Sequence, residues 1–259
     1  MATALTSFHR YLHIVLFKTY ANLKAETDKT YIGCLWWVAE PLLNTALFYV
    51  VFTHIVGIRT PNFTVFLYIG MAIYGYFSNA LLSGATAIVT NSNLMQQVNL
   101  PKPLFVFISI SNLTWKFLFS LAVLFLLVWA NGAPISWPYL SLPFLFLFQV
   151  WAAIGLAMPL AALIPYFQDG KTVLGTFLSV GMWFSGTFYE IDRVPASLRG
   201  LFYCNPIAAT IDAMRGVLLH AAWPNPLHLA PAFAVCLLSW AIGLAMMRRI
   251  EGRVTKLAL

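Results

Sequence analysis

The sequence predicts an all-α polytopic membrane protein: an N-terminal interfacial amphipathic helix, six transmembrane helices, and short amphipathic helices on the outer side between spans five and six. Hydrophobic residues make up 61% of the 259 and charged residues only 9%, where an average soluble domain carries roughly 25% charged residues. The 15 Lys and Arg and 8 Asp and Glu cannot clothe a soluble fold of this length, so lipid must solvate most of the surface. The apolar residues also come in runs of about 20, the length that crosses a bilayer as a helix. Finally, the net charge of +7 gathers before residue 30 and after residue 247. In a soluble protein it would suggest nucleic acid; on the flanks of a membrane domain it fixes orientation, and no nucleic-acid partner is expected.

Residues 4–24 carry charge among apolar residues. At 100° per residue, Leu5, Phe8, Leu12, Val15, Leu16 and Leu23 fall within an arc of about 100°, with Arg10, Lys18 and Lys24 opposite and Ile14 and Phe17 breaking the pattern. A helix of that kind lies in the membrane interface. It lacks the short cationic region, clean apolar run and small-residue cleavage site of a signal peptide, so it is expected to stay. The first span covers about 31–57 and ends at Gly57, Arg59 and Pro61; the second covers about 63–90. The polar stretch 91–103 carries three asparagines and two prolines, which stop the helix. Spans three and four cover about 104–130 and 139–164, and the polar connection 166–171 leads to a fifth at about 172–189.

Residues 190–226 hold Glu190, Asp192, Arg193, Arg199, Asp212 and Arg215, and no uncharged stretch of spanning length fits among them. Two short amphipathic helices, 195–203 and 207–219, broken at Asn205-Pro206, fit better. The sixth span covers about 227–247, before a cationic tail. With both termini in the cytoplasm, the inside holds Arg10, Lys18, Lys24, Lys29, Lys102, Lys171, Arg248, Arg249, Arg253 and Lys256. The outside holds only Arg59, Arg193, Arg199 and Arg215, three of them balanced by Glu190, Asp192 and Asp212, so cytoplasmic termini are predicted. No internal repeat supports an inverted-repeat secondary transporter.

The chain contains no phosphate loop, no H-E-x-x-H and no C-x-x-C, so it has no means of its own to hydrolyse ATP by a Walker mechanism. Cys34, Cys204 and Cys236 read as packing residues, and the five scattered histidines suggest no metal site. Within the spans only Glu40 and Lys116 are charged, which makes each a candidate site residue. Glu40 precedes Pro41, whose ring frees a backbone carbonyl and permits a kink. It either lines a path or pairs with Lys116 or a freed backbone group. Trp36, Tyr49, Tyr74, Tyr76, Phe77, Trp183, Phe184 and Phe188 are candidate channel-lining aromatics, since an aromatic face can stack on the C–H face of a sugar. Interfacial anchoring belts are the other reading of those near span ends.

The order of parts, with the runs YIGCLWWVAEPLL (31–43), VNLPKPL (98–104) and IDRVPASLRGLFYCNPIAATIDAMRGVLL (191–219), resembles the ABC-2 type permeases of bacterial polysaccharide exporters over nearly the whole chain. The most specific matches are Ile32, Gly33, Leu35, Trp36 and Pro41, and then Val194, Pro195, Arg199, Asn205 and Pro206. The resemblance implies one transmembrane domain over residues 1–259, with 1–29 interfacial and 30–259 forming the six-span channel. It implies a homodimer in the bacterial inner membrane, driven by a separate ABC ATPase dimer that binds the ATP and Mg, with no cofactor in this chain. Periplasmic or outer-membrane export proteins would be further partners.

By the same resemblance, a coupling helix that docks on the ATPase falls at Asn93, Leu94, Met95, Gln96 and Gln97. The resemblance also places re-entrant outer gate helices between spans five and six, around Arg199, Asn205, Pro206, Asp212 and Arg215. The sequence departs from the family after Leu23-Lys24, where a basic and aromatic pair is replaced by Ala25, Glu26, Thr27 and Asp28. The expected function is export of a lipid-linked or lipid-terminated polysaccharide of capsule or O-antigen type. A teichoic acid or small lipophilic cargo shares the fold. A solitary intramembrane enzyme would need more titratable groups than one Glu and one Lys.

Overall fold

A computed structural model of the chain describes residues 2–29, 33–57, 62–97, 100–132 and 136–250. Tyr31, Ile32, Arg59, Pro61, Val98, residues 133–135 and the tail cations Arg253 and Lys256 lie outside the described residues. All regular structure among the described residues is helical: α1 (Ala2–Thr27), α2 (Trp36–Val50), α3 (Phe63–Ala85), α4 (Ala87–Thr90), α5 (Ser92–Gln97), α6 (Pro103–Ala130), α7 (Leu142–Leu163), α8 (Gly170–Phe184), α9 (Ala196–Tyr203), α10 (Pro206–His220) and α11 (Pro226–Ile250). Among the described residues, five helical stretches are long and apolar enough to cross a membrane: Gly33–Ile55, Phe63–Ala85, Pro103–Ala130, Trp137–Tyr166 and Pro226–Arg249.

The fifth predicted span is shorter than its sequence run suggests. α8 has 15 residues, about 22 Å of helix, and ends at Ser185 because the chain turns through Gly186 at φ +69°, a conformation that favours glycine. The turn Gly186–Tyr189 then leads into α9 and α10, the two short helices expected there. α10 begins as its sequence dictates: the Asn205 side chain accepts from the Ile207 N–H at 3.0 Å, and Pro206 occupies the first helical turn. The Asn205 amide also donates to Ser185 Oγ at 3.0 Å, tying the start of α10 to the end of α8.

α3 is the axis of the bundle, packed by α2, α6, α7, α8 and α10. Apolar burial alone holds helices poorly in lipid, so polar ties and close backbone approach matter more. The Tyr68 hydroxyl reaches Ser120 at 3.0 Å and Tyr76 reaches Thr114 at 2.9 Å, joining α3 to α6. The Gln149 amide donates to the Ile73 carbonyl at 3.1 Å, joining α7 to α3. Tyr74 donates to the Leu178 carbonyl and so holds α8. α7 and α11 close over Gly155, where a Cβ would lie 2.5 Å from Trp240 Nε1; that indole donates to the Trp151 carbonyl at 3.0 Å.

α1 is docked along α6. Tyr11 and Val15 face Pro103, Leu104 and Phe107, and Thr19 is buried. Leu12 and Leu16 of the predicted apolar arc stay about half exposed, and Phe17 and Tyr20 are more exposed still. The near end of the bundle carries α5; the far end carries α9 and α10.

Candidate functional site

α2 and α8 stand on either side of α3 with faces left open among the described residues. Thr45 is the only fully buried residue in α2, and Leu178 the only one in α8, among the described residues. Between them the strip Met71, Gly75, Ser78 and Leu82 of α3, at helical spacing, is not fully buried. α8 holds one flank through Tyr74, and α2 holds the other through Thr45 beside Met71. The result is a furrow along the bundle with α3 as its floor.

The α8 flank has two stripes. Thr172, Thr176, Ser179 and Trp183 recur at the spacing of one helix face and are all exposed. The Thr176 and Ser179 hydroxyls donate to the carbonyls of Thr172 and Gly175, at 3.0 and 2.9 Å, leaving their oxygens able to accept. About 100° around the helix lie Val173, Phe177, Val180 and Phe184, also exposed and apolar. One stripe can exchange hydrogen bonds with water, while the other is suited to apolar surroundings.

At the near end the furrow opens into a polar cleft of about 250 Å³ between α2, α3 and α6. Glu40 and Asn44 of α2 and Asn79 of α3 line it, with Trp36 and Trp37 at its side and Lys116 and Glu26 across it. Lys116 donates to both Glu26 carboxylate oxygens at 2.6 Å and sits 5.6 Å from the Trp37 ring. Its salt-bridge partner is therefore Glu26, from the acidic hinge after α1, and not Glu40. Glu40 is exposed on the cleft wall. Pro41 follows it inside α2, and the Thr45 hydroxyl donates to the Pro41 carbonyl at 2.8 Å.

The far end of the furrow is closed by aromatic rings. Phe188, from the turn after α8, packs with ring centroids 4.9 Å from Phe48, 5.4 Å from Phe52 and 4.8 Å from Trp183, bridging α2 to α8. Tyr49 joins the same cluster beside Phe63. Tyr74, Tyr76 and Phe77 sit elsewhere: they are 4%, 6% and 1% exposed, inside the chain's own packing. Their expected place on a channel wall is corrected by the polar ties, since the Tyr74 and Tyr76 hydroxyls are spent on α8 and α6. Only an edge of Tyr76 reaches the cleft.

The residues expected at the outer gate make separate sets of contacts at the far end of the bundle. Arg199 donates to the carbonyls of Val194 and Asp192 at 2.9 and 2.6 Å and so folds back the start of α9. Tyr203 donates to Asp212 at 3.2 Å, with His228 of α11 3.8 Å from the same carboxylate and stacked on the Tyr203 ring. Burial raises the Asp212 pKa above the ordinary carboxylate value, although Tyr203 and His228 oppose the shift. Burial likewise pushes Tyr203 up to about 12. At the near end, α5 presents Asn93, Gln96 and Gln97 outward, while Leu94 and Met95 pack against the core.

Sequence reasoning missed the furrow's polar residues Asn44, Ser78, Asn79, Thr176 and Ser179. Their signal was a hydroxyl stripe at helical spacing along α8, less visible than the aromatics beside it.

Comparison with known proteins places this architecture. The O-antigen export system permease protein RfbA of Klebsiella pneumoniae is 22% identical over 244 residues, 92% of each chain. That of Myxococcus xanthus is 24% identical over 256 residues, 97% of this chain and 98% of the relative. The profile of the ABC-2 type transporter family matches residues 19–219, from the docked part of α1 through α10. A match over that much of the sequence, on a multi-helix membrane bundle, shows that the chain belongs to the ABC-2 type transporter family.

Proposed function

We propose that this chain is the membrane subunit of an ATP-driven exporter of a lipid-linked or lipid-terminated surface polysaccharide, of O-antigen or capsule type. Family membership implies an ABC ATPase partner and a membrane location. The rest is our reading: two copies of the chain join in the bacterial inner membrane with both termini in the cytoplasm, and a separate ATPase dimer binds the ATP and Mg. The observation that carries it is the furrow, whose flanks α2 and α8 lie open on the protomer. Two furrows face to face would enclose a path walled by Thr172, Thr176, Ser179, Trp183, Ser78, Asn79 and Glu40. A hydrated polymer needs such a wall: hydroxyl and amide partners that exchange with water, a few rings for weak stacking, and little fixed charge.

The near-end cleft, with Lys116, Glu40, Asn44 and Asn79 beside two tryptophans, lies where the polar head of a lipid-linked glycan would enter. The exposed polar edge of α5 is the surface offered to the ATPase. The identity of the curated relatives as O-antigen permeases supports the cargo class.

The test is to purify the tagged chain in mild detergent from its own host and identify what comes with it. The expected result is a stoichiometric Walker-motif ATPase, with loss of surface polysaccharide when the chain is deleted. A solitary protein, or an unchanged surface glycan, would overturn the reading.

A further inference from the structure

The far-end closure has an anchor that belongs to no ring in it. Arg215 of α10 is 5% exposed. Its Nη1 donates to the carbonyls of Gly186 and Tyr189 at 2.6 and 3.1 Å, and its Nη2 to those of Thr187 and Phe66 at 2.6 and 3.2 Å. Its guanidinium carbon also lies 3.5 Å from the centroid of the Phe66 ring. Three of the four acceptors bracket Phe188 in the turn after α8; the fourth is in α3. A guanidinium presents donors in a fixed planar fork, which suits it to holding several carbonyls at once, and an ammonium would not reproduce that geometry.

The opposite wall of this clamp is bare helix. A Cβ on Gly70 of α3 would stand 2.5 Å from the Thr187 carbonyl oxygen and 2.6 Å from Arg215 Nη2. The turn and the guanidinium therefore pack directly on the α3 backbone at a point seven residues inside its far end, ~10 Å below it. The carbonyls at the end of α8 also carry the negative end of that helix dipole, which favours a cation there.

We infer that Arg215 is a positioning residue for the outer closure: it locks the turn Gly186–Tyr189 onto α3 at Gly70, and this lock holds Phe188 across the furrow between α2 and α8. α10, the turn and α3 then move as one body, and the furrow opens at this end only when the clamp releases or the three travel together. The inference rests on the reading of the furrow as the translocation path.

Two measurements test it. In a chain with Cys34, Cys204 and Cys236 replaced by Ala, the pair Phe48→Cys and Phe188→Cys is oxidised in native membranes, with and without Arg215→Met. The pair should cross-link efficiently with Arg215 present and poorly without it. This readout is blind to cargo and ATPase, so it stands even if the export reading fails. Separately, the full chain, purified with the ATPase that accompanies it, is reconstituted without nucleotide into liposomes loaded with calcein. If the open state is populated at about 1%, losing the clamp should raise it toward about 10%, a leak about tenfold faster in Arg215→Met. Arg215→Lys should fall between that variant and wild type. Gly70→Ala, which keeps every side chain of the clamp but crowds it, should leak as well and takes the place of Arg215→Met if that variant is not recovered. Variants that cross-link like the parent chain, or that assemble normally and retain calcein like it, overturn the proposal.

Discussion

Asp212 and Lys116 show how single charges are placed in a chain that has few. Asp212 is held at a raised pKa by burial, beside Tyr203 and His228, with Asp192 and Arg215 also acting on it. The folded state therefore binds the proton more tightly than the unfolded one. Its stability contribution is full at low pH and is lost as pH rises through the raised folded value. Asp212→Asn, which keeps an acceptor for Tyr203, should raise the thermal midpoint in detergent at about pH 7.5, with the gain shrinking as pH falls into the carboxylate range; a gain unaffected by pH would contradict this. Lys116 and Glu26 form a part-exposed pair, with side-chain exposures of 22% and 49%. Such a pair contributes about 0–1 kcal/mol, so Glu26→Ala and Lys116→Ala should each change stability little. The swap Glu26→Lys with Lys116→Glu should recover whatever either single reversal loses, measured by thermal unfolding of the wild type, the two single reversals and the swap. Full loss in the swap would show that the residues act separately.

At the scale of elements, the helices were legible in the sequence and their partners were not. Apolar run length and the Asn205-Pro206 break sufficed to place α2, α3, α6, α7, α11 and the pair α9 and α10, because spanning length and capping chemistry are local. α8 came out shorter, since its end is set by Gly186 and by contacts with α3 and α10 that no local pattern announces. The aromatics misled for a related reason: a tyrosine inside a membrane bundle is equally suited to facing a path and to tying two helices by its hydroxyl, and Tyr74 and Tyr76 do the second. Glu26 drew notice only as a departure from the family pattern, yet it is the partner of Lys116, 90 residues away. α5 shows what the structure adds. Since Leu94 and Met95 pack inward, a charge there would damage folding before it could report on coupling. The informative substitutions are Gln96→Asp and Gln97→Asp on the outer edge, which should leave assembly intact and lower transport per ATP hydrolysed by the complex. Unchanged coupling would place the ATPase contact elsewhere.

For the whole molecule, the architecture is a solid half and an open half. α3, α6, α7 and α11 pack through close backbone approach and buried hydrogen bonds, while α2 and α8 stay open on both sides of the α3 strip. Such an arrangement gives a rigid wall with two flanks free to meet another surface, which is what a path formed between two copies requires. Cargo should then run along the furrow. The direct measurement places single cysteines in a cysteine-free background at Asn79 and Thr176, inside the furrow, and at Leu126, an exposed residue of α6 away from it. Cells are treated with a bulky membrane-permeant maleimide, and newly exported surface polysaccharide is quantified. Labelling at Asn79→Cys or Thr176→Cys should stop export, while labelling at Leu126→Cys should leave it unchanged. Equal export from all three labelled chains would contradict a path along the furrow.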